Sequence, residues 1–292
     1  MINNYFKLLR VPQWIKNFFV FVPLVFSQHL FEMSYFLLVV AGFAIFCLTS
    51  SIVYIINDVI DVELDKVHPV KKFRPIPAGK ISRGQALITA AVLIVIVGVS
   101  LTAFHQGFAI AVLSYFILNI FYSFSLKHIV LLDIFSIAAG FVLRVAAGGL
   151  VINVAISSWL LLTTMFISLF LAIIKRESEL KLNIEDANSV TRKVLSSYSL
   201  DFTKQIATIT ASGVIICYAL YTVSVRTVSI FGTENLIYTT PFVVFGILRY
   251  MYLVYMNNKG ENTTEIMLTD LPMILNILLY ILAVTLIIYK II

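Results

Sequence analysis

Charge is what this chain has least of. Only 12% of its 292 residues are Asp, Glu, Lys or Arg, about half the roughly 25% carried by a soluble domain. That scarcity excludes an ordinary water-soluble enzyme. With 60% hydrophobic residues and a mean hydropathy of +0.99, the composition is that of an integral membrane protein. Cysteine is nearly absent too. Cys47 and Cys217 both fall inside apolar runs, which excludes a disulfide framework and leaves each as a small core residue. The four histidines lack ligand spacing, and no G-x-S-x-G, Walker loop or Cys/His cluster occurs. Zinc, P-loop and serine-nucleophile chemistry are therefore unsupported. No Gly/Ser linker or low-complexity tract interrupts the sequence, so a single domain is expected over 1–292.

What the chain does have is long apolar runs. Stretches of roughly 20 uncharged residues mark spanning helices, because backbone polar groups in lipid must satisfy one another. Nine are read, at about 17–32, 35–56, 86–104, 107–125, 130–151, 155–174, 205–225, 236–256 and 272–292. The expected fold is an all-α bundle of about nine transmembrane helices. Lys7, Arg10 and Lys16 precede the first run in the manner of a signal peptide. No small-residue cleavage site follows, and the run is read as a retained helix.

The basic residues are unevenly placed. Seventeen of the 21 fall in the N-terminal segment and in the loops of one side, among them Lys66, Lys71, Lys72, Arg74, Lys127, Lys175, Arg176, Arg192, Lys193 and Lys259. Arg226 and Lys290 fall on the other side, and Arg144 and Arg249 within spans. The positive-inside rule then puts the N-terminus and the charged loops in the cytoplasm, in a multi-pass cytoplasmic-membrane protein. The net charge of +6 needs no nucleic-acid partner; anionic headgroups or an anionic substrate account for it. Two cytoplasmic loops are long, about 57–85 and 175–204, and long loops in compact folds are commonly functional.

The first of these opens on "NDVIDVELD", residues 57–65. At about 100° per residue, setting Asp58 at zero places Asp61 near −60° and Asp65 near −20°, with Asn57 at the edge of the stripe and Glu63 near 140°. Three carboxylates in one stripe repel unless a cation sits among them. An all-oxygen set suits Mg²⁺, which binds through one or two carboxylates and substrate phosphates. The bland alternative is a solvated helix end whose acids pair with Lys66, Lys71 or Lys72. Beyond it, "HPVKKFRPIPAG" holds Lys71, Lys72 and Arg74 in a segment stiffened by Pro69, Pro75 and Pro77. Cations beside a metal site suit a polyanion, and Arg74 is able to grip phosphate oxygens in a fork. A basic strip on lipid headgroups is the competing reading.

Further candidates lie along the same side. "YSFSLKHIVLLD" carries Tyr122, Lys127 and Asp133, the last an acid entering an apolar helix, where ionisable groups are functional by default. Arg144 shares its face about 16 Å deeper, too far for direct contact. Lys175, Arg176 and Glu179 end the sixth span. Lys175 and Glu179, four residues apart, read equally as a helix-surface pair.

The aspartate ladder at the end of the second span, followed by the Arg-Pro segment, resembles the UbiA superfamily of intramembrane prenyltransferases. "RVPQWIKN", "YIINDVIDVELDKVHPVKKFRPIPAG", "YSFSLKHIVLLDIFSIAAGFVLRVAAGG" and "KRESEL" are most similar to its decaprenyl-phosphate phosphoribosyltransferase branch. Most members that prenylate aromatic acceptors carry a second D-x-x-x-D near the sixth-to-seventh loop. Here Lys175-Arg176-x-x-Glu179 stands in that region, leaving one metal ladder and a cationic patch. The resemblance implies transfer of 5-phosphoribose from phosphoribosyl diphosphate to a polyprenyl phosphate in the membrane. Mg²⁺ would sit on Asn57, Asp58, Asp61 and Asp65. Asp133 would join the ladder aspartates in catalysis. Lys16, Lys71, Lys72, Arg74, Tyr122, Lys127, Arg144, Lys175, Arg176 and Glu179 would line the substrate pocket. Two alternatives stay open: a conventional prenyltransferase on the same fold, and a transporter, whose acids should lie nearer the midplane.

Overall fold

In hydrocarbon a backbone N–H finds no water, so even β-branched runs such as "VLIVIVGVS" take the helix that closes their hydrogen bonds internally. The computed structural model describes residues 2–68, 70–185, 193–257 and 269–290, and all regular structure among them is helical. In chain order the α-helices are α1 (Ile2–Leu8), α2 (Val22–Phe26), α3 (Met33–Ile60), α4 (Val62–Val67), α5 (Arg83–Leu101), α6 (Gln106–Phe124), α7 (Leu132–Val151), α8 (Ser158–Glu185), α9 (Leu200–Val223), α10 (Val225–Phe231), α11 (Thr240–Asn257) and α12 (Leu271–Ile288). Eight helical segments among the described residues are long and apolar enough to cross a membrane. Arg192 and Lys259 of the basic count lie outside the described residues, as does Pro69, and nothing is described of the Lys193 side chain.

The ninth expected span differs in kind. Its helix runs from Val11 to Phe26 and is too short to count by α-helical length. Eleven of its residues, Val11–Phe21, form a 3₁₀ helix that continues into the five of α2. At about 2.0 Å per 3₁₀ residue and about 1.5 Å per α residue, the segment reaches about 30 Å, the thickness of a bilayer core. Its contacts run antiparallel down α3. Arg10 meets Asp58, Trp14 donates to Ser51 at 3.1 Å, Asn17 donates to Ser50 at 3.2 Å and Cys47 at 3.4 Å, Phe18 packs on Phe43, and Phe21 on Phe36.

The second difference concerns the two long loops. α3 continues past its apolar run to Ile60 and α8 to Glu185, so residues 57–67 and 175–185 are largely helical. Hydropathy falls where the membrane ends, but with no Gly or Pro at hand the helix has no reason to stop there.

The chain divides into two compact units, residues 1–126 with 143–155, and 127–142 with 156–292. Each has its own apolar core. The first is built around Phe46, Phe108 and Leu24, the second around Phe170, Ile173 and Tyr250. In the first unit Gly148 of α7 faces the entering segment. A Cβ there would stand 2.1 Å from the Val20 carbonyl oxygen, so only glycine lets these backbones approach. In the second, a Cβ on Gly213 of α9 would strike the Phe166 ring of α8 at 2.5 Å.

Candidate active site

In the first unit the ladder survives a change of helix. α3 ends at Ile60 and Asp61 (φ −86°, ψ 6°) is the joint to α4. The spacing of helical hydrogen bonds is kept across it, with Asp61 N–H donating to the Asn57 carbonyl at 2.9 Å and Asp65 N–H to the Asp61 carbonyl at 2.8 Å. Asp58 and Asp65 therefore stay on one face, and both are buried. Arg74 ties them together, its Nη1 donating to Asp58 Oδ1 at 3.1 Å and Asp65 Oδ2 at 2.5 Å. Asp58 Oδ1 also accepts from Arg10 Nη2, and the Arg10 guanidinium lies over the Tyr54 ring, 4.8 Å from its centroid. Asp61 is half-buried. Glu63 points away as its angle predicts: it is exposed and pairs with Lys66 and Arg83.

Asp58 and Asp65 thus meet arginines, while Lys66 pairs with Glu63. Among the described residues no group of three His, Cys, Asp or Glu side chains is gathered closely enough to hold a metal unaided. The donor chemistry nonetheless fits Mg²⁺. Asn57 Oδ1 is a buried oxygen with no hydrogen-bond partner, an unmet acceptor in a structure class that rarely tolerates one. It belongs to the same N-D-x-x-D-x-x-x-D stretch as Asp58, Asp61 and Asp65, whose carboxylates are likewise hard oxygen donors.

The proline segment places Arg74 by a turn. Ala78 N–H donates to the Arg74 carbonyl at 3.0 Å, Lys80 and Ile81 N–H donate to the Pro75 carbonyl at 2.9 and 3.1 Å, and Gly79 takes φ 68°. Buried Ile76 and Ile81 anchor the turn, and Ser82 with Gln85 forms a capping box that starts α5. On the other flank His68 Nδ1 accepts the N–H groups of Val70 and Lys71 at 3.2 and 3.3 Å. Burial and the Lys71 charge hold the His68 pKa below its ordinary value, which keeps the ring neutral and able to accept. Arg74 reaches Asp58 and Asp65, Lys71 is half-buried, and Lys72 is exposed with its ammonium over Phe73.

Deeper in the same unit lies a second polar group. Arg144 is buried, with Nε donating to Asn17 Oδ1 at 2.8 Å and Nη2 to the Tyr115 hydroxyl at 2.8 Å. Gly148, one turn on, is the close approach that brings the entering segment to it. Lys16, next to Asn17, is half-buried. Tyr122, on α6, is half-buried.

In the second unit Asp133 is fully buried and both its oxygens are occupied. Oδ2 accepts from Arg176 Nε at 2.8 Å and Oδ1 from the Tyr198 hydroxyl at 2.7 Å. Arg176, 2% exposed, also donates from Nη1 to Glu179 Oε2 at 2.6 Å. The Tyr198 hydroxyl in turn accepts the N–H of Leu131, a residue at φ 67°. Burial and the hydrogen bond to Asp133 push the Tyr198 phenol up, so it stays a donor. The expected cationic patch is therefore an arginine between two carboxylates. Lys175 is exposed and Lys127 half-buried. Asp133 and Arg144 each have their own partners.

Sequence reasoning passed over three residues. Arg10 was counted only as a topogenic charge, although the αL turn at its φ of 52° sets it against Asp58. Tyr198 gave little signal in a loop of polar residues. Glu177, buried, accepts from the Tyr255 hydroxyl at 3.1 Å and lies 3.1 Å from Lys181 Nζ; an acid inside "KRESEL" reads as surface until α8 is seen to continue.

The model of the UbiA prenyltransferase family matches residues 18–288. The chain belongs to that family. Among UbiA-type relatives, it is 36% identical over 270 residues to a decaprenyl-phosphate phosphoribosyltransferase of Corynebacterium glutamicum, covering 90% of this chain and 80% of that one. It is 36% identical over 228 residues to the enzyme of that name from Mycolicibacterium smegmatis, covering 77% and 71%. Its fold is that of a UbiA homologue from Archaeoglobus fulgidus solved with GPP and Mg²⁺ bound (TM-score 0.72, 98% and 99% of the two chains, 18% identity). The all-α, multi-pass membrane architecture expected of a UbiA protein is thereby shown.

Proposed function

We propose that this protein transfers 5-phosphoribose from 5-phosphoribosyl 1-diphosphate to a polyprenyl phosphate and releases diphosphate. The observation that carries the reading is the 36% identity to a decaprenyl-phosphate phosphoribosyltransferase across 90% of the chain. The geometry is in keeping with it: buried carboxylates in an oxygen-only set, with two arginines on them, at the end of an apolar helix.

Asn57, Asp58, Asp61 and Asp65 would hold Mg²⁺, which when bound supplies Lewis-acid neutralisation of the diphosphate. Arg74 and Arg10 lie against Asp58, and each guanidinium would turn from carboxylate to phosphate oxygens as the donor arrives. The C1–O bond to diphosphate breaks and an oxygen of the lipid phosphate bonds to C1 from the opposite face. A phosphate monoester has its second pKa near about 6, so the nucleophile is largely dianionic at neutral pH. No proton has to be removed from it, and no base is needed. Lys71 and Lys72, on the segment that carries Arg74, would add further phosphate contacts. Arg176 keeps a positioning role, since Asp133 and Glu179 already hold it. The polyprenyl tail lies in the bilayer among apolar helices. The loop charges support a cytoplasmic site, where a water-soluble donor is available.

The test is product formation in detergent or liposomes. Labelled phosphoribosyl diphosphate should put label into polyprenyl phosphate, and EDTA should abolish this until Mg²⁺ is restored. Label entering lipid only from a prenyl diphosphate would replace this reading with prenyl transfer, which the A. fulgidus homologue's bound GPP makes the natural second choice.

A further inference from the structure

Arg74 is held on its two sides by different means. Downstream, the turn that begins at Pro75 is anchored by buried Ile76 and Ile81. Upstream, the 3₁₀ turn Lys71–Phe73 buries no side chain, and Val70 and Phe73 are 72% and 69% exposed. Core packing therefore does not place that side of Arg74, and hydrogen bonds take the role.

Four of them meet at His68. Its N–H donates to the Asp65 carbonyl at 3.3 Å, and its own carbonyl accepts the Lys72 N–H at 3.3 Å. Its ring Nδ1 accepts from the Val70 and Lys71 N–H groups at 3.2 and 3.3 Å. A backbone N–H only donates, so the ring must be the neutral form that carries its proton on Nε2. The Lys71 carbonyl then accepts the Arg74 N–H at 3.0 Å, and Arg74 Nη1 returns to Asp65 Oδ2 at 2.5 Å. The chain thus closes a loop of contacts from Asp65 through His68 and Lys71 to Arg74 and back. When the Arg74 side chain turns to a phosphate, the Asp65 contact opens. The bonds at His68 stay, and keep the arginine backbone where the guanidinium has its reach.

We infer that His68 is a positioning residue, which by accepting the Val70 and Lys71 N–H groups sets Arg74 to grip the donor's diphosphate. This rests on the phosphoribosyl-transfer reading only in giving Arg74 a diphosphate to bind. The role asks for an acceptor rather than for an imidazole. Asparagine supplies one, since its side-chain oxygen reaches N–H groups two and three residues on.

The experiment is equilibrium binding of Mg-pyrophosphate to wild type, His68→Ala, His68→Asn, Arg74→Ala and the His68→Ala/Arg74→Ala double variant. His68→Ala should bind about three- to tenfold more weakly, the scale of one or two neutral hydrogen bonds. His68→Asn should stay within about twofold of wild type. Arg74→Ala should lose more than His68→Ala, and the double variant no more than Arg74→Ala, because the two act as one unit. A short-chain polyprenyl phosphate should bind His68→Ala within about twofold of wild type, which also reports that the variant is folded. The assignment is overturned by unchanged pyrophosphate binding in His68→Ala, by His68→Asn as weak as His68→Ala, or by losses that multiply in the double variant. An equal loss for the polyprenyl phosphate overturns it too. No turnover is read, so an enzyme found to use a prenyl diphosphate would sink phosphoribosyl transfer and leave His68 in its role.

Discussion

The two units solve one problem, a buried aspartate in a membrane protein, in opposite ways. In the second, Asp133 and Arg176 are 0% and 2% exposed, and both Asp133 oxygens are taken. In the first, the arginines on Asp58 remain 22% and 28% exposed, they come from distant turns of chain, and Asn57 Oδ1 next door is left unmet. A closed pair holds helices in place because separating it strands a charge. An open one, whose partners keep contact with solvent, is able to exchange carboxylate for a ligand. The ladder has the open arrangement that a site needs, and the Asp133 network the closed arrangement of a clamp.

That contrast breaks most sharply on activity. Asp58→Asn and Asp61→Asn should each cut turnover by about a hundredfold or more, as expected for metal-ligand positions, with a normal gel-filtration profile. Asp133→Ala should instead show itself in stability, stranding buried Arg176 at a cost of about 3–5 kcal/mol and lowering Tm. The pair replacement Asp133→Leu with Arg176→Met should recover most of that Tm, because removing both charges is often neutral. Were Asp133→Ala to keep its Tm and lose turnover, Asp133 would belong to the chemistry and the distinction would fall. Tyr198→Phe is the milder version. It takes one hydrogen bond from a carboxylate and the acceptor from Leu131 N–H, worth about 1.5–3 kcal/mol, and should lower Tm with kcat little changed.

The asymmetry was only half legible in the sequence. Apolar runs located the spans because lipid leaves the backbone no alternative, and the 100° period put Asp58 and Asp65 on one face, where Arg74 confirms them. Helix ends were misjudged at residues 57–67 and 175–185, since hydropathy reports the membrane boundary and not the helix. Periodicity along one helix also cannot name partners from another. Arg10 stands 48 residues from Asp58 and Tyr198 65 from Asp133, and neither spacing has a local signature. The 3₁₀ entry was hidden for a different reason: its pattern is apolar like any span, and only its contact register along α3 reveals the longer rise.

The smallest expected effect is the control on the stripe. Glu63 is 67% exposed, on the α4 face turned from the other acids, and the Lys66 hydrogen bond, with the charges of Lys66 and Arg83, holds its carboxyl below the usual value. A carboxyl lowered on folding stabilises at neutral pH and loses that contribution as pH falls through its folded pKa, since the unfolded chain protonates first. Solvent and salt screen an exposed pair, so the contribution is slight even when complete. Glu63→Gln should therefore leave turnover within about twofold and Tm nearly unchanged at pH 7, with any difference from wild type fading below pH about 4 and in high salt. If it instead matched the loss of Asp58→Asn, position along the helix face would not decide which acids serve the reaction, and the stripe would cease to explain the site.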